Sequence, residues 1–198
     1  MRKKMQSLYL TDYIKTFNNV IPPDICTDTV TELQDKKIWV RHSWTSYENN
    51  VEQVVTNNNV KDLSITSGIK GSSNTSYIMD SLFNVLKLYY NEISIPECDN
   101  WNGYTGIRYN RYTEGQVIYK HVDRITSMFD GKRKGIPTLS IVGLLNDDYE
   151  GGEFIMFDNK RIDIKAGSVI VFPSTFLYPH SVSQVTKGTR YSFVSWVW

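Results

Sequence analysis

The chain has 198 residues, is 40% hydrophobic and 13% aromatic, and sets 22 basic against 21 acidic side chains, enough to bury the core of one ordinary domain over 1–198 but too balanced to recruit nucleic acid or an anionic membrane by its overall field. No run approaches the ~20 apolar residues of a membrane span, and the apolar stretch after the basic start is broken at Gln6 and Ser7, too soon for a signal-peptide core. Two cysteines, Cys26 and Cys98, make no disulfide scaffold, so the expectation is a cytoplasmic protein with no membrane partner and an oligomeric state that composition does not fix.

In chain order, PPDICTDTVTELQDKK opens with Pro22 and Pro23 and repeats Ile25, Val30 and Leu33 at roughly helical spacing, which predicts a first helix. The polar stretch from Arg41 to Asn74 is rich in Asn and Ser; it is longer than most structureless connections and reads as short strands or a lid. A long helix follows, with Ile78, Leu82, Val85, Leu86, Tyr89 and Ile93 three and four residues apart, so one face needs a flat apolar cover. Residues 1–100 are thus expected to supply helical support and a lid region.

From residue 101 short runs of Val, Ile, Tyr, Phe and Trp alternate with Gly, Pro, Asn and Asp. This predicts strands near 104–112, 116–123, 138–145, 153–157, 161–164, 168–172, 178–184 and 189–197. Eight short strands without intervening helices favour a jelly roll, so the fold class is α+β and mainly β, a double-stranded β-helix backed by N-terminal helices.

The chemistry concentrates in two places. An acidic residue two positions after a histidine is expected about 0.3 times by chance in a chain with three histidines, so HVD at 121–123 proves little alone. If it lies on a strand, however, alternation sends His121 and Asp123 to one face. His180 opens a later strand that a jelly roll brings to the same cavity. Two imidazoles and a carboxylate on one side of a cation leave positions open, the facial arrangement of non-haem Fe(II) oxygenases.

The last hairpin suggests what fills those positions. With 185–188 as its loop, Arg190 falls opposite about Ser183, roughly 10 Å along the sheet from His180. Arg190 and Ser192 then share a face and offer a planar fork and a hydroxyl to one carboxylate. 2-Oxoglutarate has the matching anatomy: a 2-keto acid that chelates iron and a distant carboxylate that needs such an anchor.

At these residues the chain resembles the prolyl 4-hydroxylase-like branch of the Fe(II)/2-oxoglutarate-dependent dioxygenases. RYNRYTEGQVIYKHVD looks like the family's Tyr-x-x-Gly-Gln segment leading to His-x-Asp, with Tyr112, Gly115 and Gln116 in place. LLNDDYEGGEFIMF resembles its Leu-Asn-Asp turn and Gly-Gly-Glu, IKAGSVIVFPS its Lys-x-Gly strand entry, and PHSVSQVTKGTRYSFVSW its distal histidine with a basic residue ten positions later. FNNVIPPDICTDTVTEL is similar to the family's entry into its first helix. The resemblance implies iron ligation by His121, Asp123 and His180, with Arg190 binding the far carboxylate of 2-oxoglutarate and Tyr112 a hydrogen-bond partner near it. It also implies O2 as the oxidant and ascorbate as a supporting reductant, oxidative decarboxylation to succinate, and hydroxylation of a C–H bond, most simply in a prolyl residue of a peptide or protein. Asp123 in its coordination position argues against the halogenating relatives.

Three departures qualify the substrate. The tyrosine many relatives carry two positions before the turn asparagine is Leu144 here, leaving Ser192 or another hydroxyl to substitute. The tyrosine three before the proximal histidine is Ile118, and the basic anchor is arginine, as in hypoxia-sensing relatives, rather than the lysine of collagen-type enzymes. Another side chain, a free amino acid or a nucleobase remains an alternative target, and a non-catalytic jelly-roll binding protein the alternative class. A zinc hydrolase fits poorly, since no H-E-x-x-H helix exists.

Other candidates have plainer readings. His42 is expected to be structural or on the surface, and Glu153 is not expected to bind metal. Gly151 and Gly152 read as turn scaffold. Trp39, Trp44 and Tyr47 read as core more readily than as a peptide groove. Arg124, Lys132, Arg133 and Lys134 form a basic loop, either solvated or gripping an acidic or nucleic-acid substrate.

Overall fold

The computed structural model describes residues 9–34, 38–48, 51–55, 63–68, 70–93, 103–123 and 135–198, with backbone alone for 44–48 and 51–55. The basic loop at 124–134 and Cys98 lie outside the described residues, as do the side chains of Trp44 and Tyr47.

Two antiparallel sheets carry the fold. The larger has seven strands in the order β1 (Lys15–Phe17), β12 (Val169–Pro173), β8 (Leu139–Leu144), β15 (Arg190–Val197), β6 (Arg108–Tyr112), β5 (Ser64–Thr66) and β2 (Val40–Arg41). The smaller has four: β11 (Lys160–Ile162), β10 (Phe154–Met156), β13 (His180–Val182) and β7 (Ile118–His121). From β6 onward the chain passes repeatedly between the sheets, which is the double-stranded β-helix. Each of the eight expected strands has its counterpart. Two short ladders accompany them, β9 (Glu150–Gly151) with β14 (Val185–Lys187), and β3 (Trp44–Glu48) with β4 (Val51–Val55).

The amino-terminal half is less purely helical than expected, because β1, β2 and β5 join the large sheet. Those strands are only two or three residues long, too short for alternation to declare itself in sequence. The region from Arg41 to Asn74 indeed carries short strands.

Strand parity explains the two cores. Ile141, Val169, Val171, Phe193 and Val197 point outward from the large sheet onto the helices, while Val142, Ile170, Phe172 and Val194 point into the barrel. The outward set meets α2 (Ser73–Ile93), whose Ile78, Leu82, Val85, Leu86 and Tyr89 form the predicted stripe and are all buried. Ser72 caps α2 by accepting the Thr75 backbone N–H (3.2 Å). The neighbouring α1 (Pro23–Glu32) begins at a proline and ends with Glu32 accepting from Ser72 and Asn74, at 2.7 and 2.8 Å. Cys26 is a free thiol between α1 and this core, pushed up to about 11 by burial. Trp39 packs against the same core and donates its indole N–H to Leu33 O (2.8 Å), as its core reading required. No helix among the described residues is long and apolar enough to cross a membrane.

Candidate metal centre and cosubstrate pocket

His121 ends β7 and His180 begins β13, and the two are register partners in the small sheet. Their rings lie 4.4 Å apart. Asp123 sits just past the end of β7 rather than on it, so the expected strand stops two residues early. Its carboxylate nevertheless converges, with Oδ1 3.8 Å from His121 Nε2 and 3.9 Å from His180 Nε2. One donor atom from each residue lies within 4.8 Å of the others, which suits a single cation.

The surroundings fix which atoms face inward. His121 Nδ1–H donates to Tyr119 O (2.8 Å) and His180 Nδ1–H to Tyr178 O (3.1 Å), which leaves both Nε2 lone pairs for a ligand. Phe154 and Phe172 pack on the His180 ring at 5.5 and 5.0 Å and lock its orientation. Ser140 donates to Asp123 Oδ2 and is hydrogen-bonded to Ser174 (2.7 Å). Burial works against the Asp123 charge, yet His180, the Ser140 hydroxyl, His121 and the Trp196 indole hold it below the ordinary carboxylate range. Burial, reinforced by His180, lowers the His121 imidazole to about 4. The centre therefore presents an ionised carboxylate and a neutral imidazole at pH 7, the state in which both coordinate metal.

Arg190 lies elsewhere than the hairpin argument placed it. It faces Tyr112 on β6 in the large sheet, whereas Ser183 is on the small-sheet side, because the segment 185–187 is itself a strand paired with β9. A tight hairpin was the simplest reading of VTKG, and pairing with a distant partner overrode it. The shared face of Arg190 and Ser192 holds: Nη1 donates to Ser192 Oγ (2.7 Å) and both residues are about 1% exposed. The guanidinium stands 5.2 Å over the Tyr112 ring. Nε and Nη2 are buried without a hydrogen-bond partner. Two unsatisfied donors on a buried cation are costly unless an anion takes them, so the fork fits a carboxylate.

Several site residues were not anticipated. Tyr149, on the loop before β9, sets its phenol against the Arg190 guanidinium; burial raises the phenol and Arg190 opposes that rise. It supplies a hydroxyl where Leu144, buried in the sheet, cannot. Gly152 is more than turn scaffold: at φ +63° a Cβ there would meet Arg190 Cδ at 2.9 Å and Tyr149 Cε2 at 3.0 Å. Asn110 lies opposite Ser192 with Oδ1 buried and without a partner. His42 is buried and held at about 4 by burial, Arg108 and His121. It reaches the site through the pairing of β2 with β5 and β5 with β6, which leaves no local signature. Ile118 is buried in the barrel core. Glu153 is engaged by Arg161, by the Ser183 hydroxyl and through its own backbone N–H, away from the metal ligands.

A family model described as the 2OG-Fe(II) oxygenase superfamily matches residues 107–198. A PKHD-type hydroxylase of Alteromonas mediterranea is 35% identical over 96 residues, covering 45% of this chain and 41% of that protein. One of Acinetobacter baumannii is 37% identical over 95 residues with the same shares, so the matching segment spans about two-fifths of these relatives' length. In fold, the chain is similar to a Pseudomonas putida prolyl-4-hydroxylase (16% identity, TM-score 0.66, 93% of this chain and 91% of that one). It is also similar to a Trichoplax adhaerens prolyl hydroxylase solved with a hypoxia-inducible-factor peptide (18% identity, TM-score 0.68, 95% and 84%). Residues 107–198 thus match the 2OG-Fe(II) oxygenase superfamily in sequence, and nearly the whole chain is similar in fold to prolyl hydroxylases.

Proposed function

We propose that residues 1–198 form one dioxygenase domain that hydroxylates a C–H bond at the expense of 2-oxoglutarate and O2, acting on a peptide or protein, with a prolyl residue as the first target to test. His121, Asp123 and His180 would hold Fe(II), and Arg190, Ser192, Tyr112 and Tyr149 would hold the far carboxylate of 2-oxoglutarate. Bound iron supplies the activation of O2 that no side chain can perform. The protein fixes three ligands in one geometry, keeps His121 neutral and Asp123 ionised, and anchors the cosubstrate in a dry barrel. The observation that carries this reading is the pairing of three converging metal-ligand atoms with a buried guanidinium whose Nε and Nη2 have no partner.

The test is succinate formation, followed by NMR, from purified protein with Fe(II), ascorbate, O2 and 2-oxoglutarate, with and without proline-rich peptides. His121→Ala is the control. Succinate that depends on His121 and rises with peptide is the expected outcome. Turnover that no peptide stimulates would keep the chemistry and reject the prolyl target. A second reading, hydroxylation of a non-prolyl substrate, draws on Ile118, an apolar residue packed into the core where relatives place a tyrosine beside the substrate. A cytoplasmic site of action agrees with the free thiol of Cys26.

A further inference from the structure

The large sheet carries a second guanidinium on its inward face. Arg108 occupies the end of β6 away from Tyr112; its register partner is Val194, as that of Tyr112 is Arg190. Four residues of strand place the two positions about 13 Å apart. Arg108 lies over the Trp196 ring at 4.8 Å, and the Trp196 indole is close enough to Asp123 to help lower its carboxyl. Arg108 therefore stands on the metal side of the barrel, one side chain removed from Asp123, while Arg190 closes the opposite end.

No carboxylate of the described residues lies within ion-pair distance of this charge, and the Arg108 Nε is buried without a hydrogen-bond partner. Burial works against the Arg108 charge, and the support it receives from Asp123, Tyr112 and the indole face comes without an ion pair. Asp123 is the nearby acid, but its Oδ2 accepts from Ser140 and its Oδ1 faces the two histidines at the metal position. A single 2-oxoglutarate would use Arg190 for one carboxylate and the metal for the other. The second fork is left for another ligand, and Nε with a terminal nitrogen presents the parallel donors that match a planar carboxylate.

We propose that Arg108 is a substrate-binding residue that receives a carboxylate of the substrate, so that the enzyme acts on acidic targets: a residue flanked by Asp or Glu, or one bearing a free carboxylate. This rests on the oxygenase reading for the position of the metal and the cosubstrate.

Calorimetric titration of the full chain loaded with Mn(II) separates the two readings. 2-Oxoglutarate is titrated first into wild type, Arg190→Gln and Arg108→Gln. Weakening of about tenfold or more in Arg190→Gln, with Arg108→Gln within about twofold of wild type, is expected. Failure of wild type to bind 2-oxoglutarate would instead sink the oxygenase reading. With Mn(II) and 2-oxoglutarate present, the second titrant is a set of capped pentapeptides with central proline, each carrying one Asp or Glu, and their Asn or Gln twins. N-acetylproline and its primary amide extend the set to free acids. An acidic member should bind about tenfold to a hundredfold tighter than its amide twin; Arg108→Gln should erase that preference and Arg108→Lys restore part of it.

The proposal is overturned if no acidic ligand binds, if the preference survives in Arg108→Gln, or if only a 5′-phosphorylated oligonucleotide binds. It is equally overturned if Arg108→Gln loses 2-oxoglutarate as Arg190→Gln does, since the carboxylate would then be the cosubstrate's own. Thermal unfolding of Arg108→Met adds a check independent of ligands. A residue waiting for an anion leaves the melting temperature unchanged or higher when replaced by a neutral side chain, whereas a structural arginine lowers it.

Discussion

The two sheets divide the site's chemistry unequally. The small sheet supplies both histidines, adjacent to each other in register and each backed by the carbonyl two residues before it, at Tyr119 and Tyr178. The large sheet supplies charge and dryness: Arg190, Ser192, Tyr112, Asn110 and Arg108 on its inner face, with Ser140 reaching across to Asp123. Short strands suffice for the ligands because each histidine is fixed locally. Holding cations away from water requires the longer sheet, covered on its other face by α2. The lesson is that the convergence of the candidate histidine ligands is set locally, whereas the buried guanidiniums depend on the assembled barrel.

The sharpest test of that division is loss of a small-sheet ligand. His180→Ala should weaken metal binding by more than about a hundredfold, since outer-shell partners alone are worth about tenfold to a hundredfold, and abolish succinate formation. The folded barrel should survive, judged by near-ultraviolet circular dichroism. Arg190→Gln should do the converse: metal affinity within about threefold of wild type, and 2-oxoglutarate affinity down by roughly tenfold to a hundredfold, the worth of charge-assisted hydrogen bonds. If Arg190→Gln also released metal, the two sheets would not be separable units.

Legibility from sequence followed the same line. His121, Asp123 and His180 could be read because a strand's alternation and one histidine downstream are short-range patterns, and the α2 stripe was equally plain. Arg190 and Ser192 were identified as a pair, but their partner strand was not. VTKG looks like a hairpin loop until β14 pairs with β9, a contact between residues more than thirty positions apart. Tyr149 and Arg108 lie inside the segments LLNDDYEGGEFIMF and RYNRYTEGQVIYKHVD, but at positions to which the motifs assign no role, and His42 lies outside them; all three meet the site through tertiary pairing. Leu144 marked a position without a hydroxyl, but gave no sign that Tyr149 stands beside Arg190.

The dryness of the large-sheet end can be read from pH. His42 has an ordinary value of 6.5 and is lowered to about 4, by burial first and then by Arg108 and His121. Between those limits the unfolded chain takes up a proton that the folded chain refuses, so stability is fully present above pH 6.5 and falls as the pH drops towards 4. The loss approaches about 3 kcal/mol for this residue. In metal-free protein, urea midpoints measured across that range should fall steeply for wild type and less steeply for His42→Gln. The remaining slope belongs to groups such as His121, which is lowered in the same direction. Equal slopes would mean that water reaches His42 and that this end of the barrel is wetter than its burial indicates.

The smallest effect comes from Gly152, where the large-sheet anchor meets the turn after β9. At φ +63° any side chain is strained, by about 1–2 kcal/mol, and Gly152→Ala adds a methyl facing Arg190 Cδ at 2.9 Å. Arg190 has little freedom to yield, because Ser192 holds Nη1 and the Tyr112 ring lies beneath the guanidinium. The substitution should lower stability by about that strain and weaken 2-oxoglutarate binding several-fold, through a displaced fork rather than a lost charge, while metal affinity stays unchanged. Calorimetry with Mn(II) and with 2-oxoglutarate distinguishes the two. Lower stability with normal 2-oxoglutarate binding would show that Arg190 is aimed by Ser192 and Tyr112 alone, and that the glycine serves the backbone.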